Sequence, residues 1–207
     1  MSERMGLYFH AITPNVIVGS QPRSAVDVAH LVDHQGVSAI LNMQQDTDLR
    51  HWAVDLEGLR RAAAVRGVEY VRAPTVDFDA GSLRSTLPLA VARLLSLVRA
   101  GKRVYLHCTA GLGRAPAVCI AALYWDGLGI LSPDAEDLVR LQEAYDHVTS
   151  IRACGPNKVS SEGPVDAIRG ATGDLLSGSN VGNLQRHGPA AFATLHARDR
   201  KAILARL

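Results

Sequence analysis

The chain is sparing with several features, and each shortage removes a class of function. Aromatic residues make up 5% of its 207 positions, and no apolar run approaches the roughly 20 residues that a membrane-spanning helix needs. No membrane partner is expected. The opening Met1-Ser2-Glu3-Arg4-Met5 shows no signal-peptide pattern. The formal net charge is only +2, which argues against a nucleic-acid partner. The segment from Gly155 onward is mildly basic, with no polybasic patch. Three cysteines, an odd number, do not build a disulfide framework, so a reducing compartment fits. There is no internal repeat, and no His/Cys/Asp/Glu spacing suggests a metal site; no cofactor is expected.

What remains is a chain that is 47% hydrophobic, enough for one sizeable core. Short β-branched runs alternate with helical patterns. Strands are expected at Asn15 to Gly19, Val37 to Met43, Val68 to Val71 and Arg103 to Leu106. Helices are expected from a Ser24 cap to His34, over Leu49 to Arg66, and from Ser82 or Ser85 to about Arg99. Two more should cover Ala115 to Trp125 and the stretch opened by Ser132-Pro133-Asp134. Strand–helix alternation implies an α/β fold with a mostly parallel central sheet flanked by helices. Residues 1–154 form the expected catalytic domain, and 155–207 a helical extension packed on it.

The chemistry concentrates in His107-Cys108-Thr109-Ala110-Gly111-Leu112-Gly113-Arg114. A strand precedes this run and a helix follows it, with Pro116 in the helix's first turn where a missing N–H costs nothing. A loop from strand end to helix N-terminus aims unpaired amides and the positive end of the helix dipole at one point. Gly111 and Gly113 should let the backbone curl with its amides inward, as in an anion nest. In that field Cys108 is favoured as a thiolate, the nucleophilic form. Arg114 offers a planar fork matching two phosphate oxygens. His107 is expected to orient the loop by hydrogen bonds. The whole reads as the site of a phosphatase that works through a cysteinyl-phosphate. Such a reaction needs a carboxylic acid for the leaving group. Asp77, in the segment after the third strand, is favoured; Asp79 is the alternative, with a role as helix cap as its other reading.

Taken together, these residues resemble the Cys-dependent dual-specificity phosphatases, and within them the glucan phosphatases. Gly113-Arg114-Ala115-Pro116-Ala117 is informative, because most of the superfamily carries Ser or Thr where this chain has Ala115. Further matches are Val18 to Pro22, Leu41 to Asp46, Asp77-Phe78-Asp79, Leu83-Arg84-Ser85, Cys154 to Lys158 and Ala167 to Thr172. The pattern is most similar to the plant Like Sex Four proteins that lack a carbohydrate-binding module. The resemblance implies removal of phosphate monoesters from starch-like glucan, with the C3 position favoured, by a monomer acting in the plastid; the cytosol is the alternative. It also implies that Trp52, Phe78 and Lys158 contact glucan. The chain departs from those relatives at His51, Glu69, Ala73 and Ser96, and by a short insertion near Val159 to Pro164. A phosphoprotein phosphatase and a glucan-binding scaffold remain as alternative functions.

Overall fold

The computed structural model describes residues 6–131, 137–154, 167, 168, 170, 171 and 205. Five strands form one sheet: β1 (Phe9–Thr13), β2 (Val16–Gly19), β3 (Ala39–Asn42), β4 (Glu69–Arg72) and β5 (Val104–His107). Their order across the sheet is β1-β2-β5-β3-β4. All neighbours run parallel except β1, which pairs antiparallel with β2 through a register shift between Ala11 and Thr13. β1 was not among the expected strands. Its Phe-His-Ala-Ile-Thr sequence has no clean alternation, and its identity as a strand comes from pairing with β2 at the edge.

Side chains alternate between two cores, as the period of two requires. Val16, Val18, Ala39, Leu41, Val104 and Leu106 face one; Ile17, Ile40 and Tyr105 face the other. The first core is covered by α4 (Ala80–Arg99), α5 (Arg114–Trp125) and α6 (Asp137–Ile151). The second is covered by α1 (Ala25–Gln35) and α3 (Leu56–Val65). Every residue of α5 is buried, so the helix that follows the cysteine loop is locked on all sides.

Local capping explains where helices begin. Ser24 accepts from the Asp27 amide and starts α1 as expected, and Gly36 closes it in the left-handed conformation. The single helix expected over Leu49 to Arg66 is instead two, α2 (Asp46–His51) and α3. The break falls at Trp52 and Ala53, where Ala53 has φ 50°, and Asp55 accepts from the Gly58 amide to open a fresh helix. The periodicity ran across this break because both halves bury apolar residues. The expected start of α4 at Ser82 or Ser85 also moves. Asp79 is its N-cap, accepting from the Ser82 amide at 2.7 Å, and Ser82 lies inside the helix.

The segment opened by Ser132 lies outside the described residues, although α6 follows it. Most of the expected extension over 155–207, including Lys158 and the insertion, lies outside them as well. Of its described residues, Ala167, Ile168 and Ala171 are buried in the first core. Among the described residues no helix is long and apolar enough to cross a membrane.

Register places the site. Gly19, His107, Asn42 and Arg72 are paired across β2, β5, β3 and β4, so the four parallel strands end in line. The segments that leave this edge are therefore neighbours, where open parallel sheets place their ligands. Gly19 illustrates how tightly the edge is packed: an added Cβ would fall on the Tyr105 ring and hydroxyl and on Phe9. Gly19→Ala should cost about 2 kcal/mol and lower the thermal midpoint by roughly 4–8 °C. A midpoint equal to the parent's in calorimetry would contradict this packing.

Candidate active site

Cys108 follows the last residue of β5 and is buried, as is Gly111. The amides of Thr109, Ala110, Gly111, Leu112 and Gly113 find no acceptor among the described residues. The N-terminus of α5 has no side-chain cap either. A run of unpaired amides at an uncapped helix start is a site built for an anion. Only Gly111 uses the left-handed region, at φ 69°; Gly113 sits at φ −120°. Of the two loop glycines, Gly111 is the one whose φ calls for glycine. Any Cβ at Gly111 would strike the Gly19 carbonyl group and Arg152, whereas one at Gly113 would meet nothing.

Arg114 is 3% exposed and reaches two other segments of the edge as well as its own loop. Its Nη1 donates to Asp48 Oδ2 at 2.6 Å and to the Thr75 carbonyl at 2.9 Å. Its Nη2 donates to Asp77 Oδ2 at 2.9 Å and to Thr109 Oγ1 at 3.1 Å. The Nε is buried without a partner among the described residues. The Nε–Nη2 side of the fork therefore has a vacant donor beside one held by Asp77. An anion with two oxygens could take that side bidentately if Asp77 gave way.

The two aspartates near the acid position are separated by geometry. Asp77 points at Arg114; Asp79 accepts from the Ser82 amide as the cap of α4. Asp48 was not singled out in the sequence. It lies in the first turn of α2, accepts from the Gln45 amide at 2.9 Å, and clamps Arg114 with the same oxygen. The first-turn position was legible, but its pairing with a residue so distant in the chain was not. Gln44 adds a further link, donating to Gln21 Oε1 at 2.7 Å and to Thr109 Oγ1 at 3.2 Å.

His107 is wholly buried. Its Nδ1 lies 3.0 Å from the Cys108 carbonyl, which can only accept, so Nδ1 carries the hydrogen. Nε2 is then a bare acceptor with no partner among the described residues. Burial pushes the imidazole pKa down to about 4, with the Arg114 charge adding to the fall. His107 is neutral at physiological pH and holds the backbone of Cys108.

The outer wall is apolar. Phe78 is 81% exposed and held at φ 56°, a conformation unusual for a bulky residue. Trp52 ends α2, is exposed, and packs edge-on against His51 at 5.1 Å between ring centroids. Leu112 and Val76 are also exposed. Lys158 lies outside the described residues. Among the described residues no cluster of metal-ligating side chains is present.

The family described as "Polymorphic toxin system, DSP-PTPase phosphatase" matches residues 19–128, from the end of β2 to beyond α5. The chain belongs to the dual-specificity phosphatase family. The matched span holds Asp48, Asp77, Cys108 and Arg114 together. A phosphoglucan phosphatase named DSP4, amyloplastic, from Castanea sativa is 37% identical over 176 residues, covering 84% of this chain and 42% of that protein. The chloroplastic phosphoglucan phosphatase LSF1 of Arabidopsis thaliana is 34% identical, covering 84% and 26%. Laforin of Mus musculus is 29% identical, covering 58% and 39%. The chain thus spans less than half the length of these curated relatives. Among solved structures, Tk-PTP in its active form matches 78% of this chain and 93% of its own with a TM-score of 0.58 and 25% identity. Human DUSP28 matches 83% and 98% with a TM-score of 0.57 and 24% identity, a likeness of fold.

The dual-specificity phosphatase loop carries a pH signature of its own. The folded pKa of His107, about 4, lies below the ordinary value near 6.5 of an unfolded chain. Between those values the unfolded chain binds a proton that the folded one refuses. Stability is therefore full above about pH 6.5 and falls as pH drops towards 4, by roughly 3 kcal/mol at most. In urea unfolding from pH 7.5 to 4, His107→Gln should flatten this slope, because its amide can donate to the Cys108 carbonyl without titrating. An unchanged slope would refute the assignment.

Proposed function

We propose that this chain removes phosphate monoesters from starch-like glucan through a cysteinyl-phosphate at Cys108. The observation that carries the phosphatase reading is the loop from Thr109 to Gly113. Its amides are unpaired around a buried cysteine, with the half-free fork of Arg114 beside them. The glucan reading draws on the curated phosphoglucan phosphatases and on the apolar wall of Phe78 and Trp52, which suits pyranose faces.

The geometry supports the following course. The phosphate enters the amide nest and takes the Nε–Nη2 side of Arg114, displacing Asp77 from Nη2. Cys108 Sγ attacks phosphorus; the S–P bond forms and the P–O bond to the sugar breaks. Asp77, released from the guanidinium, takes up a proton from solvent and passes it to the departing sugar oxygen. Water then attacks phosphorus, passing its proton to Asp77, and the S–P bond breaks to free inorganic phosphate and the thiolate. Asp48 keeps hold of Nη1 throughout and fixes the plane of the fork. His107 holds the Cys108 carbonyl.

C3 regioselectivity belongs to the same proposal, as do a role for Lys158 in glucan contact and a monomeric state. The relatives' printed names place them in amyloplast and chloroplast, which supports a plastid setting.

Phosphate release from solubilised phosphoglucan and from phosphopeptides, with Cys108→Ser as the blank, tests the reading. Release from glucan is expected, lost in Cys108→Ser. Release from peptides alone would make the chain a phosphoprotein phosphatase, and release from neither would favour a scaffold. Labelling at C3 and C6 reads the regioselectivity. Asp77→Asn should slow glucan dephosphorylation about 100-fold or more, while Asp79→Asn, which keeps a good helix cap, should stay near parental rates. The reverse ranking would move the acid to Asp79.

A further inference from the structure

Another buried guanidinium, besides that of Arg114, touches the backbone of the phosphate loop. Arg152 follows the last residue of α6 and is fully buried. Its Nε donates to the Gly111 carbonyl at 2.6 Å and its Nη2 to the Ala110 carbonyl at 3.1 Å. Its Nη1 lies 3.4 Å from the Tyr8 carbonyl and 3.3 Å from His10 Nδ1. The guanidinium also lies over the Tyr8 ring, 4.6 Å from its centroid. Among the described residues it forms no salt bridge with a carboxylate.

A buried cation held by carbonyls is an expensive arrangement unless every donor is used and an anion is close by. Here the donors are spent on two consecutive carbonyls of the loop. Ala110 and Gly111 each point a carbonyl outward at Arg152. With the Ala110 and Gly111 carbonyls held this way, the Gly111 and Leu112 amides of the same two trans peptide units point the opposite way. The same contact explains why Gly111 cannot carry a side chain, since a Cβ there would meet Arg152 as well as the Gly19 backbone. An anion bound by the loop amides would supply the counter-charge that no carboxylate among the described residues provides.

We infer that Arg152 is a positioning residue for the dual-specificity phosphatase loop: it holds the Ala110 and Gly111 carbonyls outward so that the amides meet the phosphate. This rests on the phosphatase reading of the loop but not on the glucan reading. It assigns α6 a part in the site, although α6 contributes no group that touches substrate. Lysine is a poor replacement, because one ammonium cannot match the spacing of two adjacent carbonyls while also stacking on Tyr8.

Two readouts test it: turnover of p-nitrophenyl phosphate, and direct calorimetric binding of orthovanadate, a phosphate-shaped anion. In folded Arg152→Met, kcat/KM should fall about 100-fold, the equivalent of two charge-assisted hydrogen bonds, and orthovanadate binding should weaken by a similar factor. Free guanidinium at millimolar concentration should restore part of both. If Arg152→Met does not fold, Arg152→Lys carries the test, with orthovanadate expected to bind about tenfold more weakly than to the parent. Parental orthovanadate affinity in the folded fraction of either variant would overturn the inference, even with activity lost, because the role would then be structural only. A parent that binds orthovanadate but turns over no phosphate ester would defeat the phosphatase reading while leaving the effect of Arg152 on anion binding measurable.

Discussion

The rest of the site depends on one buried cation. Arg114 ties the segments after three strands to a single point: Asp48 after β3, Thr75 and Asp77 after β4, and Thr109 after β5. A guanidinium at 3% exposure is costly to bury unless its donors are satisfied by such partners. Its need for them draws the loops together. Asp48 and Asp77 divide the labour. Asp48 shares its oxygen with the Gln45 amide and is built into the start of α2. Asp77 is half-exposed on a loop, so it is the partner that can yield to an incoming anion.

The surroundings bury Cys108 on both sides of the chain and leave the rim exposed. Cys108 stands between a strand whose four residues are buried and a helix buried all round. His107 and Gln44 add hydrogen bonds beneath and beside it. Around the rim the backbone leaves ordinary conformations twice, at Ala53 next to Trp52 and at Phe78 next to Asp77. Phe78 follows Asp77, which is bound to Arg114, and Ala53 follows the exposed Trp52 at the end of α2. Strained positions of this kind persist where the surrounding structure fixes them. They account for exposed aromatics in a chain that has few.

Much of this was legible in the chain. Cys108, Gly111 and Arg114 declare a phosphate loop through their spacing alone, and Ser24 and Gly36 bracket α1 by cap chemistry. The sheet's parallel core followed from alternation of short apolar runs with helices. Other parts were not legible for physical reasons. Periodicity could not see the break at Trp52 and Ala53, because both sides of it bury apolar residues. Ser82 looked like a cap as much as Asp79 did, and only the bond to the Ser82 amide separates them. β1 has no pattern without β2 to pair with.

The sequence by itself determined which reactive groups are on offer: a thiol and a guanidinium at the two ends of one glycine-containing loop, and a carboxylic acid in a separate segment. These follow from residue type and local spacing, which act over a turn or two of chain. The tertiary structure decided which carboxylate faces the guanidinium, that Asp48 clamps it, and that Arg152 braces the loop from behind. Those are contacts between segments tens of residues apart. They exist only because the registered strand ends bring the segments to one edge and α6 packs against α5 beside it.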